Sequence, residues 1–370
     1  MDNVIAALGK SNRVCQVNLW GSRLGNVLPL MQVPFPELTD LRLTSRDRDN
    51  IPDTFLGGSA PRLRSLILNF VSFPGLPKLL LSATHLVHLH LMCIPHSGYI
   101  SPEAIVPPLS MLSNLKSLNL QFKSLWSDEE RSSLPPPNRL ILSALADLYF
   151  EGPLQYFEEL VSHIDTPQLD TACIEFSPRF EFNFDCPQLI HFINRTPTLR
   201  ALEEAHVLFH DYTASLRFQY RTSKPSWYQP PIGISCYAPA HLQFWAIEPV
   251  CNPSLHLLST VEDLYIEHQV NWTNVAIGNV LWLELLLPFT MVKNLYLFEK
   301  IAPGIAAALQ ELVGDRITEV LPNLQHIFVE ELEPSGPFQE NIGRFVAARR
   351  HTSHSIAISV WDENTNMKST

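Results

Sequence analysis

Leu86-Val87-His88-Leu89-His90-Leu91 spells L-x-x-L-x-L, and the reading of the whole chain works outward from it. The spelling returns as Leu38-Thr39-Asp40-Leu41-Arg42-Leu43, Leu63-Arg64-Ser65-Leu66-Ile67-Leu68 and Leu115-Lys116-Ser117-Leu118-Asn119-Leu120. Variants follow in Leu145-Ala146-Asp147-Leu148-Tyr149-Phe150, Val261-Glu262-Asp263-Leu264-Tyr265-Ile266, Val292-Lys293-Asn294-Leu295-Tyr296-Leu297 and Leu324-Gln325-His326-Ile327-Phe328-Val329. Degenerate copies begin at Val14 and Leu169, and successive starts within each regular stretch lie 23 to 32 residues apart.

That cadence overlaps the leucine-rich-repeat range of about 20 to 29 residues. Side chains alternate along a strand, so the fourth and sixth residues of a hexamer share one side, which the first joins from the preceding turn. One unit cannot bury that side alone; stacked units share a continuous core. The expected fold class is α/β, an irregular leucine-rich-repeat solenoid in a horseshoe-like arc. Parallel strands line one face, with short helices or loops on the other. Residues 1–370 are expected to form a single domain, irregular over about 199–240 and ending in a helix-strand cap over about 334–361.

Local signals fill in the units. Leu24 to Met31 reads as a helical turn or two stopped by Pro34 and Pro36. Ser101-Pro102 is a helix start, with serine as cap and proline at the first helical position. Leu154, Phe157, Leu160, Val161 and Ile164 make one stripe of an amphipathic helix from Pro153, and Leu189, Phe192 and Ile193 do the same from Pro187. In the irregular segment, Ala205–Phe209 and Ser215–Tyr220 read as paired strands and Ile232–Cys236 as a third, before a helix over Pro239–Val250. Ala276–Leu287, Ala302–Val313 and Phe338–Arg350 are further helices, and Ile356, Ile358 and Val360 alternate as a closing strand. Ser127–Pro137 and Arg221–Pro231 read as exposed loops.

Bulk composition narrows the function. A net charge of −11 opposes nucleic acid or an anionic membrane as partner, since both require a basic surface. Only 14 glycines leave little for phosphate-cradling loops. The six cysteines (Cys15, Cys93, Cys173, Cys186, Cys236, Cys251) contain no C-x-x-C and read as reduced thiols of an intracellular protein, cytoplasmic or nuclear. No apolar run reaches the ~18 residues of a membrane span.

Specific strings then carry a family resemblance. They are Pro34-Phe35-Pro36-Glu37-Leu38, Phe55-Leu56-Gly57-Gly58-Ser59-Ala60-Pro61-Arg62-Leu63, Phe73-Pro74-Gly75-Leu76-Pro77 and Ile94-Pro95-His96-Ser97-Gly98-Tyr99-Ile100-Ser101-Pro102-Glu103-Ala104, with Leu258-Ser259-Thr260-Val261 late in the chain. Together they resemble the leucine-rich-repeat region of fungal (mushroom-type) F-box-like proteins. The resemblance implies a substrate-recognition role related to F-box receptors of cullin-RING ubiquitin ligases, with repeats capturing substrate. The F-box itself, a leucine-proline-x-glutamate-like stretch ahead of the repeats, has no match here, since Met1 sits directly on the first repeat helix. A Skp-type adaptor is therefore implied only if an F-box is encoded upstream.

No catalytic signature has adequate context. Gly9-Lys10-Ser11 lacks the leading glycine of a phosphate loop, where Val4 stands, and Gly57-Gly58-Ser59-Ala60-Pro61 misses the last residue of a nucleophile elbow. Adjacent acids such as Glu158-Glu159 and Glu203-Glu204 diverge rather than face one substrate. The expectation is a non-enzymatic protein-interaction scaffold without cofactor. Two alternatives stand beside it: a metal-dependent enzyme using His85, His88, His90, Cys93 and His96, or a truncated, non-functional family copy. The outward third and fifth hexamer positions supply the expected protein-binding face: His88, His90, Asp147, Tyr149, Asp263, Tyr265, Asn294, Tyr296, His326 and Phe328, with Trp20 nearby. Exposed aromatics are typical interface anchors.

Overall fold

In a computed structural model of the chain, the structure describes residues 2–22, 24–123, 138–177, 185–221, 230–268, 277–298, 300–330, 337–350 and 355–361. The expected loop over 127–137 and residues 222–229 of the one expected over 221–231 lie outside them. The chain divides into two compact units, one of Met1–Arg179 with Pro187–Thr198 and one of Phe180–Cys186 with Leu199–Thr370.

In the first unit, α1 (Asp2–Leu8) precedes β1 (Gln16–Gly21), β2 (Asp40–Ser45), β3 (Ser65–Asn69), α2 (Leu76–Leu80), β4 (His88–Ile94) and α3 (Pro102–Leu109). Then come β5 (Ser117–Phe122), β6 (Leu140–Ile141), β7 (Asp147–Gly152), α4 (Leu154–His163), β8 (Ile164–Asp165), β9 (Thr171–Phe176) and α5 (Pro187–Arg195). Strands β1-β2-β3-β4-β5-β7-β9 pair in that order, every pair parallel. β6 and β8 form a separate parallel pair. Helices α2, α3, α4 and α5 neighbour one another in the same sequence, as the stacking of repeats requires.

The hexamers sit where their spacing puts them. Their first, fourth and sixth residues form three buried columns: Leu38 to Leu169, Leu41 to Ala172 and Leu43 to Ile174 are each between 0% and 3% exposed. Just ahead of each strand ladder, one carbonyl of a repeat accepts two N–H groups from the next. Thr39 O accepts from the N–H groups of Arg64 and Ser65 at 2.7 and 3.1 Å, and Arg64 O from Val87 and His88 at 2.7 and 3.0 Å. Val87 O and Lys116 O repeat the arrangement one unit further each time. Ser101 caps α3 as expected, its side chain accepting from the Ala104 N–H at 3.3 Å with Pro102 at the first position. The α4 stripe is buried, and Phe150 and Phe157 pack with ring centroids 4.8 Å apart.

The second unit contains β10 (Glu204–Phe209), β11 (Thr213–Gln219), β12 (Ile232–Tyr237), α6 (Gln243–Ile247), β13 (Asp263–His268), α7 (Asn279–Leu286) and β14 (Asn294–Leu297). It ends in α8 (Ala302–Gln310), β15 (His326–Val329), α9 (Pro337–Arg350) and β16 (Ala357–Val360). Its order is β12-β11-β10-β13-β14-β15-β16. The irregular segment is an antiparallel excursion, since β10 pairs antiparallel with β11 and β11 with β12. β10 nevertheless pairs parallel with β13, in register Glu204↔Asp263. The shared carbonyl persists: Glu203 O accepts from Glu262 and Asp263 at 2.7 and 3.1 Å, and Glu262 O from Lys293 and Asn294 at 2.8 and 3.1 Å.

The helical turns expected over Leu24–Met31 form as two 3-10 pieces, Leu24–Asn26 and Leu28–Gln32. One local expectation is corrected. The expected helix over Pro239–Val250 is a 3-10 turn, Ala240–Leu242, followed by the short α6. There the fully buried Gln243 amide donates to Ala238 O at 3.3 Å and also to His210 O, drawing the first turn tight. The closing strand β16 forms, and Ile358 and Val360 on it are exposed, β16 having a described neighbour, β15, on one side only.

The buried columns make a direct prediction. Leu89→Ala, at a fully buried position, leaves a cavity among the leucine columns and should cost about 2–5 kcal/mol. Leu81→Ala, at a site 51% exposed, should stay within about 0.5 kcal/mol. Denaturant unfolding of the two variants checks the contrast.

Candidate functional site

The outward residues of the first unit lie on β4 and β7, separated by β5. His88 is exposed and His90 half-buried, their rings edge to face with centroids 6.2 Å apart. His90 Nε2 is 3.0 Å from Ser117 Oγ. Burial, then the charges of His88 and Arg42, hold the His90 pKa below its ordinary value. On β7, Asp147 accepts a 2.8 Å hydrogen bond from Thr171 Oγ1. Tyr149 is half-buried, and burial followed by Glu175 and Glu151 pushes its phenol well up. Glu151 itself is raised by burial and by Glu175. Trp20 is 68% exposed at the end of β1, with the Arg46 guanidinium 4.3 Å above its ring. Among the described residues no group of His, Cys, Asp and Glu is disposed to hold a metal ion. His85, His88, His90, Cys93 and His96 do not assemble into the ligand set of the metal-enzyme alternative.

The other six expected residues stand on three adjacent strands of the second unit. Register places Asp263, Asn294 and His326 in one row and Tyr265, Tyr296 and Phe328 in the next. Neighbouring strands run ~4.8 Å apart, so flat rings in one row come to stacking distance. Centroids lie 4.1 Å apart for Tyr265–Tyr296 and 4.6 Å for Tyr296–Phe328, with planes within 10°. His326 lies against Phe328 at 5.8 Å. Asp263 departs from the exposed position expected of it. At 4% exposure it is buried, accepting from Asn294 Nδ2 at 2.5 Å and pairing with Arg221 Nε at 3.1 Å. Burial raises its pKa, against the pull of Asn294 and Arg221. Beside it, Glu262 pairs with Lys293 at 2.6 Å and Arg221 at 3.2 Å.

Several residues of this face were not anticipated. His206 on β10 extends the aromatic row, stacked on Tyr265 at 4.4 Å and 6°. Its two ring nitrogens meet Glu267 at 3.0 Å and Glu204 at 2.8 Å, and Gln219 joins the same group. The signal was present in Leu202-Glu203-Glu204-Ala205-His206-Val207, a degenerate hexamer whose Leu202, Ala205 and Val207 are all 0% exposed. Trp361 is the other addition. Its indole meets Phe298, Tyr296 and Tyr265 edge-on at 5.2, 5.5 and 5.9 Å. No hexamer contains it; the alternation of Ile356, Ile358 and Val360 puts it on the outward side without saying which rings it meets.

No family model matches the sequence, and no curated protein matches it. Among solved structures, a leucine-rich repeat-containing protein from Legionella pneumophila is similar at 12% identity and a TM-score of 0.29. The match covers 89% of this chain and 97% of that one. The repeat fold described above rests on the chain's own strand register. Among the described residues no helix is long and apolar enough to cross a membrane.

The His206 cluster sets a pH dependence. Burial alone would lower its pKa, but the hydrogen bonds and charges of Glu204 and Glu267 outweigh it, and the net value lies above 6.5. A raised folded-state pKa stabilises fully below the unfolded value and loses that contribution as pH rises through the folded value. The stability gap between the wild type and His206→Gln should therefore be widest below about pH 6. It should narrow as the pH passes upward beyond the folded-state pKa. Urea unfolding of both proteins across pH 5.5 to about 9 measures it, and a gap that widens with pH contradicts the assignment.

Proposed function

We propose that the protein is a non-catalytic interaction module that holds another polypeptide against its outward strand faces. The finer reading makes it a substrate-recognition module related to F-box receptors of cullin-RING ubiquitin ligases, acting inside the cell, with a Skp-type adaptor engaged only through an F-box encoded upstream. The observation that carries the reading is the aromatic row His206-Tyr265-Tyr296-Phe328, flanked by the charged group of Asp263, Glu262, Arg221 and Lys293. Rigid rings beside paired charges suit protein recognition: the rings anchor with little entropy loss, and the charges set orientation. In the first unit, His88, His90, Asp147 and Tyr149 offer a more polar surface of the same kind.

Photo-crosslinking tests the face. A crosslinking amino acid placed at exposed outward positions, His88 and Asn18, should give a discrete protein adduct in cells. The same group at exposed Leu81, just past the end of α2, should give markedly less. Equal or stronger capture at Leu81 would reject the outward face. For the receptor clause, loss of the protein should lower ubiquitination of the captured partner; unchanged ubiquitination removes that clause alone.

A further inference from the structure

The last strand of the second unit is held differently from the strands beside it. In β13, β14 and β15 the inward residues Leu264, Ile266, Leu295, Leu297, Ile327 and Val329 are at most 1% exposed. All four residues of β16 are exposed. What anchors this stretch is its flanks, Ile356 at 5% and Trp361 at 9% exposure, together with backbone hydrogen bonds to β15. Ala357 donates to Gln325 O at 2.8 Å and Trp361 to Val329 O at 2.9 Å. The outward residues Ala357 and Ser359 are small, and the next outward residue, Trp361, covers the aromatic row of β13 and β14. A segment with two anchors and no buried side chain between them has the composition of a bound peptide more than of a core strand.

We infer that 355–361 is a built-in occupant of the site, and that the natural partner is an extended segment that replaces it on β15. The inference rests on the proposed outward-face binding and specifies the chemistry that face recognises. The partner carries an aliphatic residue and, five positions later, an aromatic one. It adds as a parallel strand along β15, with the aromatic ring set edge-on against Phe298, Tyr296 and Tyr265. This is recognition by strand addition, in which main-chain hydrogen bonds supply affinity and side-chain pockets supply specificity. The tethered segment competes at an effective concentration on the order of mM, which holds the site closed against weak ligands. Elements with few buried contacts are also those that open most readily, and β16 is such an element.

The test uses the full chain and a fluorescein-labelled peptide of Ser355-Ile356-Ala357-Ile358-Ser359-Val360-Trp361, read by fluorescence anisotropy. Trp361→Ala removes the occupying ring, and Ser359→Pro, at an exposed position, breaks the strand while leaving the core residues in place. A folded variant of either kind should bind the peptide at least about tenfold more tightly than the wild type. The peptide with its tryptophan replaced by alanine should lose that binding. A folded variant that takes up no peptide, or equal binding by wild type and variants, overturns the inference. So does collapse of both variants, because a replaceable segment cannot be required for folding. A negative peptide result alongside partner crosslinking at His88 would sink this inference and leave the proposed binding face standing.

Discussion

At the head of each parallel strand pair, one backbone carbonyl, that of the second hexamer residue, accepts two N–H groups from the next unit and starts the ladder that joins them. Thr39, Arg64, Val87 and Lys116 do this in the first unit, and Glu203, Glu262 and Lys293 in the second. The ladder fixes register, and register decides everything that side chains do afterwards. A slip of one residue would turn the leucine columns outward and expose the core of every repeat at once. Burial of those columns supplies the driving force; the ladder supplies the alignment.

The same alignment explains the chemistry of the outward face. Residues in one row recur at the strand spacing, so like side chains on successive strands are brought into contact whether or not they attract. Flat rings gain from it, and His206, Tyr265, Tyr296 and Phe328 stack nearly parallel. Carboxylates would lose by it, and the second unit places counter-groups among them. Glu204 and Glu267 flank His206, while Arg221 reaches both Glu262 and Asp263. A face that is polar in sequence thus becomes half-buried, its charges largely spent on one another.

The repeat logic also shows where its own reach stops. In the antiparallel excursion β10–β12 the hexamer spelling is broken, yet β10 still docks on β13 in repeat register, because Leu202, Ala205 and Val207 keep the three buried positions. Small or branched residues can stand in for leucine wherever a neighbouring helix or strand fills the space. Ala172 does so in β9 without any loss of burial. At β16 the opposite holds. Ile358 and Val360 have the right alternation, but no further described repeat covers them, and they remain in solvent.

The sequence by itself determined the strand positions, the parallel stacking and the division of each hexamer into buried and outward residues. These follow from alternation and from the cost of exposing leucine, both local and repeated many times. It also placed Tyr265, Tyr296 and Phe328 in one outward row. Only the tertiary structure decided how deep that row lies and what lies on it. The burial of Asp263, the capture of His206 between Glu204 and Glu267, and the closing of Trp361 over Tyr265 and Tyr296 each join residues tens of positions apart. Those contacts depend on chain paths between repeats, which no periodic pattern encodes.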